Sequence, residues 1–431
     1  MSMENRVIRA HVLVLPFPAQ GHISPMLRFA NRLVSKGVKV TLATTIFTSK
    51  SIQTELNSSL DVEVISDGFD EGGYAQAESP EAYLTTFRSQ WAFDVAKQLG
   101  VHGVVFFTQS CAVNSIYYHV HKGFIQLPLS GSKILLPGLP LLEPSETPSS
   151  LYFYGYSPAW FDVVMNQFSN IDEADWVLFN SFYELEKEVV DWMSKLWKVG
   201  TIGPSLPSLH LDTTVLEAND KDYELNLFNP NSNTCMSWLS DKPNGSVVYV
   251  SFGSMVELEM EQMQELAWGL IGSNCYFLWV VRESEEAKLP ANFIIEEKSR
   301  KGMVVKWCPQ LKVLAHESIG CFVTHCGFNS VIEALSFGIP MVAMPQWTDQ
   351  FTNAKYVVDI WGTGIRAQPD ETGTANREVI ALCLKALMEG EKGKEVKKNA
   401  NKWKILAREA IDEGGSSDTN IDEFVSKLLD S

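Results

Sequence analysis

HVLVLPFPAQGHISPMLRFANRLVSKGVKVTLATT, residues 11–45, is the stretch whose pattern decides the fold. His11 to Pro16 is a run of Val and Leu without polar alternation, as expected of a parallel strand buried on both faces. Phe17–Ser24 reads as a turn. From Pro25 the apolar Met26, Leu27, Phe29, Ala30, Leu33 and Val34 recur at helical spacing, Gly37 closes the helix, and VKVTLATT starts a second strand. Strand, helix and strand in that order make a βαβ unit, which predicts a parallel sheet covered by helices.

Working outward, short apolar strands recur at Val62–Ile65, Val101–Phe107 and Trp176–Asn180, with helical stretches between them. Between Gly203 and Pro243 the periodicity lapses among prolines, asparagines and aspartates, which marks a linker. The pattern then restarts. SVVYVS (Ser246–Ser251) is a strand, Phe252–Ser254 a Gly turn and Glu259–Ile271 a helix, followed by strands at Tyr276–Arg282, Met303–Lys306, Gly320–Thr324 and Pro340–Met344. The expected organisation is α/β, with two Rossmann-like domains at 1–203 and 244–413 and a linker at 204–243. A C-terminal helix within 414–431 is expected to pack back on the first domain. Ligands of such domains bind outside the carboxyl ends of the strands, here in the cleft where the two face each other, so the turns after strands are where chemistry is expected.

The 431 residues are 45% hydrophobic, 11% aromatic and 20% charged, an ordinary soluble composition. The net charge of −17 argues against nucleic acid or anionic lipid as partners, since those are bound by Lys and Arg. Seven scattered cysteines without a CxxC pair suit reduced thiols in the cytoplasm. No apolar stretch reaches the roughly 20 residues of a membrane span. A soluble, cytoplasmic monomer is expected.

The strongest local signal is CFVTHCGFNSVIEALSFG, Cys321–Gly338. A strand ends at Thr324, His325-Cys326-Gly327 turns, and Asn329-Ser330 opens a helix whose amide groups and dipole favour an anion. His325, Asn329 and Ser330 add donors, which suits a phosphate or diphosphate without a metal. Glu333, one turn on, can accept hydrogen bonds from a vicinal diol such as a ribose. An ordinary capped helix, with Asn at its start and Gly338 at its end, is the bland alternative.

Trp307–Gln350, WCPQLKVLAHESIGCFVTHCGFNSVIEALSFGIPMVAMPQWTDQ, resembles the donor-binding signature box of the plant family 1 UDP-glycosyltransferases, at the family's length of 44 residues. PFPAQGHISPML near the N-terminus and EAIDEGGSSDTNIDEFV near the C-terminus resemble the same family, so the likeness covers essentially the whole chain. It implies the GT-B fold, with an N-terminal acceptor domain and a C-terminal UDP-sugar domain. By that resemblance Trp307 stacks on uracil, with Cys308 and Gln310 nearby, and Glu333 holds the ribose. His325, Gly327, Asn329, Ser330 and Ser254 would bind the diphosphate, Asp349 and Gln350 the sugar hydroxyls, and Thr108 the sugar. Phe328 stands where the family usually has Trp, which removes an indole N–H. The implied activity is metal-independent, inverting transfer of glucose from UDP-glucose to a hydroxyl or carboxyl of a lipophilic terpenoid, steroid or phenolic, with no cofactor.

His22 is the candidate base, because an imidazole with a pKa near 6.5 can take a proton from an acceptor hydroxyl. The family usually pairs this His with an Asp at a strand end shortly before the Trp of a motif like WAFDVAK. In this chain Trp91 follows LTTFRSQ directly, with neither strand nor Asp, so by comparison with the family a stretch of residues is missing between Gln90 and Trp91, either unseen or deleted. Asp94, within the helix after Trp91, is a poor substitute. A Cα separation of about 3.8 Å at that bond would mark a continuous chain. Other UDP-sugars such as galactose or xylose, and a non-catalytic sugar-nucleotide binder, remain as alternatives. A nicotinamide dehydrogenase is disfavoured because PFPAQGH is not GxGxxG. Asp220-Lys221-Asp222 has a metal-binding DxD form but lies in the linker. The aromatic group Tyr152, Phe153, Tyr154, Tyr156, Trp160 and Phe161 reads first as core and second as a loop over an apolar acceptor.

Overall fold

The computed structural model describes residues 10–52, 60–86, 90–206, 232–291, 293 and 301–430. The chain forms two compact units, Met1–Leu227 with Glu409–Ser431, and Phe228–Arg408. Most of the predicted linker, including Asp220 and Asp222, lies outside the described residues, and helix Ser232–Ser240 occupies part of its remainder.

In the first unit β1 (His11–Val14), β2 (Lys39–Thr45) and β3 (Asp61–Ile65) form one parallel sheet. The strands β4 (Val104–Phe107), β5 (Trp176–Phe179) and β6 (Val199–Thr201) form another. A doubly wound sheet in the order 3-2-1-4-5-6 would join them through a β1·β4 pair. That pair is not made among the described residues. One apolar core nonetheless spans both sheets, with Val14, Leu27, Phe29 and Leu42 in the same cluster as Trp176, Leu178, Ile202 and Phe424. Phe29, on helix Gln20–Ser35, packs against Phe106 of β4 and Phe424 of helix Ser416–Asp430, with ring centroids 5.5 and 6.1 Å apart. Burying each such side chain contributes about 1.5–3 kcal/mol. The C-terminal helix is fastened to this unit by Asp418, which accepts from Arg32 (3.0 Å) and Lys36 (2.9 Å), and by Ser417, which donates to the carbonyl of Gly203.

The second unit holds one six-stranded parallel sheet. Its strands are β7 (Val247–Ser251), β8 (Tyr276–Val280), β9 (Gly302–Val305), β10 (Ile319–Thr324), β11 (Met341–Ala343) and β12 (Gly364–Arg366). Their order, β9-β8-β7-β10-β11-β12, is the complete 3-2-1-4-5-6 arrangement, with every pair parallel. The order reverses between β7 and β10, whose ends, Ser251 and Thr324, face each other in register.

Several local expectations change. The first helix begins at Gln20, not at Pro25, so His22 sits in its first turn with its backbone N–H on the carbonyl of Ala19. Pro25 is carried inside the helix, where its ring suits φ but offers no N–H. β6 and β12 went unread because Val-Gly-Thr and Gly-Ile-Arg lack the apolar run that marks β11, a strand of the same length. Tyr152, Phe153, Tyr154 and Tyr156 are 45–91% exposed, which removes the core reading for them. Gln90 and Trp91 are consecutive residues of one helix, Gln90–Leu99, where the sequence pattern ended one helix and began another.

Candidate active site

The switch point of the second unit is built from two turns. Phe252-Gly253-Ser254 follows β7, and His325-Cys326-Gly327 follows β10. Helix Phe328–Phe337 starts at the second turn with Gly327 as N-cap, which has no side chain of its own to cap it, while the Phe328 N–H donates toward the buried Asp349 carboxylate. The bland reading, Asn329 as the cap, is not what forms. A helix start with its positive dipole end is a site for a phosphate.

His325 lies flat against both turns. A Cβ on Gly327 would stand 2.4 Å from its Nε2, and one on Gly253 would stand 2.9 Å from its Cε1. The ring therefore fits only beside glycines. Burial lowers the His325 pKa to about 4, with the Ser251 backbone pulling weakly the other way, so the imidazole is neutral at pH 7. Its buried Nδ1 has no hydrogen-bond partner among the described residues. A buried polar atom left unmatched costs about 1–3 kcal/mol, which a ligand oxygen would relieve.

A second network lies beside the helix start. Gln310, first residue of helix Gln310–Ala315, donates from Nε2 to Glu333 Oε2 (2.7 Å) and to Ser330 Oγ (3.1 Å). Its Oε1 accepts from the hydroxyl of Tyr249 at 3.1 Å, and the Cys308 thiol donates to the same Tyr249 oxygen at 3.4 Å. Tyr249, on β7 with its ring stacked on Phe322, thus dictates which way the Gln310 amide faces. Glu333 is buried beside the helix start. Trp307, at the end of β9, is half-buried. Sequence reasoning missed Tyr249, although a Tyr within the buried run SVVYVS signals an oxygen that needs a partner.

The Asp349-Gln350 pair divides its roles. Asp349 is buried, which pushes its pKa up, while Thr348 donates to Oδ1 and Asn353 to Oδ2, each at 2.8 Å. Asn353 also donates to the carbonyl of Cys326 at 2.9 Å, bracing that residue at a left-handed φ of 64°. Gln350 Oε1 already accepts from the backbone of Gln346 and Trp347, at 2.9 and 3.0 Å. Only its NH₂ remains for a ligand, so Gln350 can donate and Asp349 can accept. Phe328 is buried, and Ser254 lies exposed in its turn with its carbonyl accepting from Arg282.

In the first unit His22 Nδ1 lies 3.0 Å from Thr108 Oγ1, and the ring meets Phe17 edge-on at 5.4 Å. Phe17 in turn packs on Trp160 at 6.5 Å. Thr108 directly follows β4. The turn after it is clamped by buried Glu186, which accepts from the N–H groups of Cys111 (3.0 Å) and Ala112 (2.9 Å) and from the Ser181 hydroxyl (2.6 Å). Glu186, too, was missed, since nothing local links it to residues some 75 positions away. Asp94 is exposed on helix Gln90–Leu99, where its charge acts on Lys97.

Residues 218–404 match the family described as UDP-glucoronosyl and UDP-glucosyl transferase. UDP-glycosyltransferase 74F2 of Arabidopsis thaliana is 46% identical over 453 aligned positions, covering 97% of this chain and 98% of that protein. Mogroside I-E synthase of Siraitia grosvenorii is 45% identical, covering 97% and 98%. The chain belongs to the plant family 1 UDP-glycosyltransferases. The crystal structure of Os79 from O. sativa in complex with UDP superposes with a TM-score of 0.89 at 37% identity, covering 96% of this glycosyltransferase and 99% of that chain. The fold is therefore GT-B, and the protein is an enzyme of glycosyl transfer. Because 453 aligned positions exceed the 431 residues of this glycosyltransferase, the Arabidopsis relative holds at least 22 residues that it lacks. Among the described residues no group of three or more His, Cys, Asp or Glu could hold a metal, and no helix is long and apolar enough to cross a membrane.

Proposed function

We propose that this glycosyltransferase moves glucose from UDP-glucose to a hydroxyl or carboxyl group of a lipophilic plant metabolite, with inversion at the anomeric carbon and His22 as base. The observation that carries the donor half is His325, a buried imidazole whose Nδ1 has no partner among the described residues, beside a helix start whose N-cap is a glycine. A diphosphate supplies the oxygens that both lack. Ser330, Asn329 and Ser254 would complete its donors, Trp307 would carry the uracil, and Glu333, aimed by Gln310, would hold the ribose diol. Asp349 would accept from sugar hydroxyls and Gln350 donate to a sugar oxygen.

In the reaction the acceptor O–H proton passes to His22 Nε2 while the oxygen bonds to the anomeric carbon. The bond from that carbon to the diphosphate breaks, and UDP leaves with the electron pair. Charge growing on the diphosphate is met by the helix start and the His325 N–H. The aromatic surface of Phe17 and Trp160 beside His22 supports an apolar acceptor. The seven free cysteines support a cytosolic location, and the protein is taken as a monomer needing no cofactor.

Transfer assays with UDP-glucose, UDP-galactose and UDP-xylose on a panel of carboxylic acids, phenols and terpenoid alcohols test this reading. The expected result is glucose transfer in the parent and none in His22→Ala, with UDP affinity unchanged in the variant. Preference for another sugar, or full activity in His22→Ala, would overturn the corresponding part.

A further inference from the structure

The hydrogen bond held by the His22 imidazole is to a neutral group. Nδ1 meets the hydroxyl of Thr108 at 3.0 Å, and no charged side chain acts on the ring among the described residues. Burial alone sets its basicity and lowers the pKa to about 4. A base working through Nε2 needs its proton on Nδ1, and an imidazole left to itself samples both tautomers and several ring orientations. Some group has to choose between them.

Thr108 is well placed to do so. It is buried, and β-branching restricts its χ1. Its backbone is fixed from both sides: Phe107 accepts from the N–H of Asn180, and Glu186 and Ser110 anchor the start of helix Cys111–His121. The ring is backed by Phe17, so the imidazole is held between an aromatic edge and one oxygen.

We propose that Thr108 is a positioning residue for His22: its hydroxyl oxygen accepts the Nδ1–H and thereby keeps the lone pair on Nε2, the task that an orienting carboxylate performs in catalytic triads. This rests on the reading of His22 as the base, and it reassigns Thr108 from the sugar to the imidazole. A hydroxyl differs from a carboxylate in one respect that matters. It orients the ring but does not stabilise the imidazolium that forms. The contribution of Thr108 is therefore confined to acceptors whose proton must be removed, and an acceptor already ionised draws little on it.

The test uses the full chain with UDP-glucose and two acceptors, an alcohol and a carboxylic acid that is ionised at pH 7. Thr108→Val removes the oxygen at nearly constant shape, and Thr108→Ser keeps it. The expected result is that Thr108→Val lowers kcat for the alcohol about tenfold, a fraction of what a general base contributes, with KM for UDP-glucose unchanged and the acid affected less than threefold. Thr108→Ser should stay within about twofold of the parent for both. Nitrogen-15 NMR of His22 should show the Nδ1–H tautomer in the parent and a mixture in Thr108→Val. Equal losses for both acceptors with a raised KM for UDP-glucose would return Thr108 to the sugar and overturn the proposal, as would an Nε2–H tautomer in the parent. If His22→Ala is inactive while Thr108→Val matches the parent, only the role of Thr108 fails. If His22→Ala is fully active, the base itself fails. The tautomer measurement decides the matter even if Thr108→Val does not fold.

Discussion

The side-chain amide of Gln310 reaches the buried carboxylate of Glu333 at 2.7 Å. Its direction is imposed from below, by the Tyr249 hydroxyl on its oxygen. Tyr249→Phe leaves Gln310 Oε1 without its donor while Glu333 and Ser330 still hold the NH₂, so the amide loosens in place and aims less well at the carboxylate. UDP affinity should fall about five- to tenfold by calorimetry, the worth of one hydrogen bond, while the melting temperature changes little. Unchanged affinity would show that Tyr249 does not aim Gln310.

The glycines around His325 leave no room for a methyl group. Gly253→Ala places a Cβ 2.9 Å from the ring at a φ of +73°, and Gly327→Ala places one 2.4 Å from Nε2. Each should weaken UDP binding more than tenfold and cost about 1–3 kcal/mol of stability. Gly272→Ala is the control. Its Cβ would meet only Ala381, at 3.8 Å, inside helix Met260–Ser273, so it should be neutral or stabilising by about 0.5–1 kcal/mol. Denaturant titrations and UDP binding on the three variants check this.

His325 makes stability depend on pH in a defined window. Its ordinary pKa of 6.5 falls to about 4 in the fold, so the unfolded chain binds the extra proton between those values. The stabilisation is complete above pH 6.5, declines as pH falls toward 4, and changes no further below that. Comparing urea midpoints of the parent and His325→Gln at pH 7 and pH 4.5 isolates the effect. The parent should lose on the order of 2 kcal/mol more than the variant. Parallel losses would show that His325 is not the group responsible.

Glu186 ties together segments far apart in the chain, so its loss should be felt both in stability and at His22. Glu186→Ala leaves two helix N–H groups and the Ser181 hydroxyl without their acceptor, and should cost about 2–4 kcal/mol. Glu186→Gln keeps one oxygen and should cost about half as much. Thermal unfolding measures the first effect, and the tautomer of His22 reports the second through the turn that carries Thr108.

The two half-sheets of the first unit yield a prediction about what the chain lacks. Leu13 of β1 and Leu15 just beyond it are 57% and 38% exposed, and β1 makes no pair with β4. The Arabidopsis relative holds at least 22 additional residues, and the motifs put the shortfall between Gln90 and Trp91. Grafting the relative's residues at that bond should raise the melting temperature by about 5 °C or more and protect the amides of β1 from exchange. A graft that leaves β1 exchanging freely would show that the missing residues do not complete the sheet.

Periodicity and turn chemistry are properties of neighbouring residues, so the βαβ units, the Gly turn after β7 and the phosphate-type helix start after β10 were legible in the chain. A shortfall in length relative to the family was legible too, because motif spacing is counted along the sequence, and its place beside Trp91 rests on that spacing. The start of the first helix was misplaced, since Pro25 reads locally as a first-turn residue whereas packing of Ile23, Leu27 and Ala30 carries the helix back to Gln20. The aromatic group at Tyr152–Tyr156 read as core, because side-chain type reports what could be buried and not what is.

Residue types and their spacing alone pointed to the family, and to the turns of the second unit where donor-binding residues are proposed. Only the tertiary structure joined Thr108 to His22, Tyr249 to Gln310, and Glu186 to the start of helix Cys111–His121, and it alone left β1 unpaired with β4. The physical reason is the same throughout. A hydrogen bond depends on two atoms arriving within about 3 Å of each other, and residues dozens of positions apart meet at that distance only when a folded core holds both.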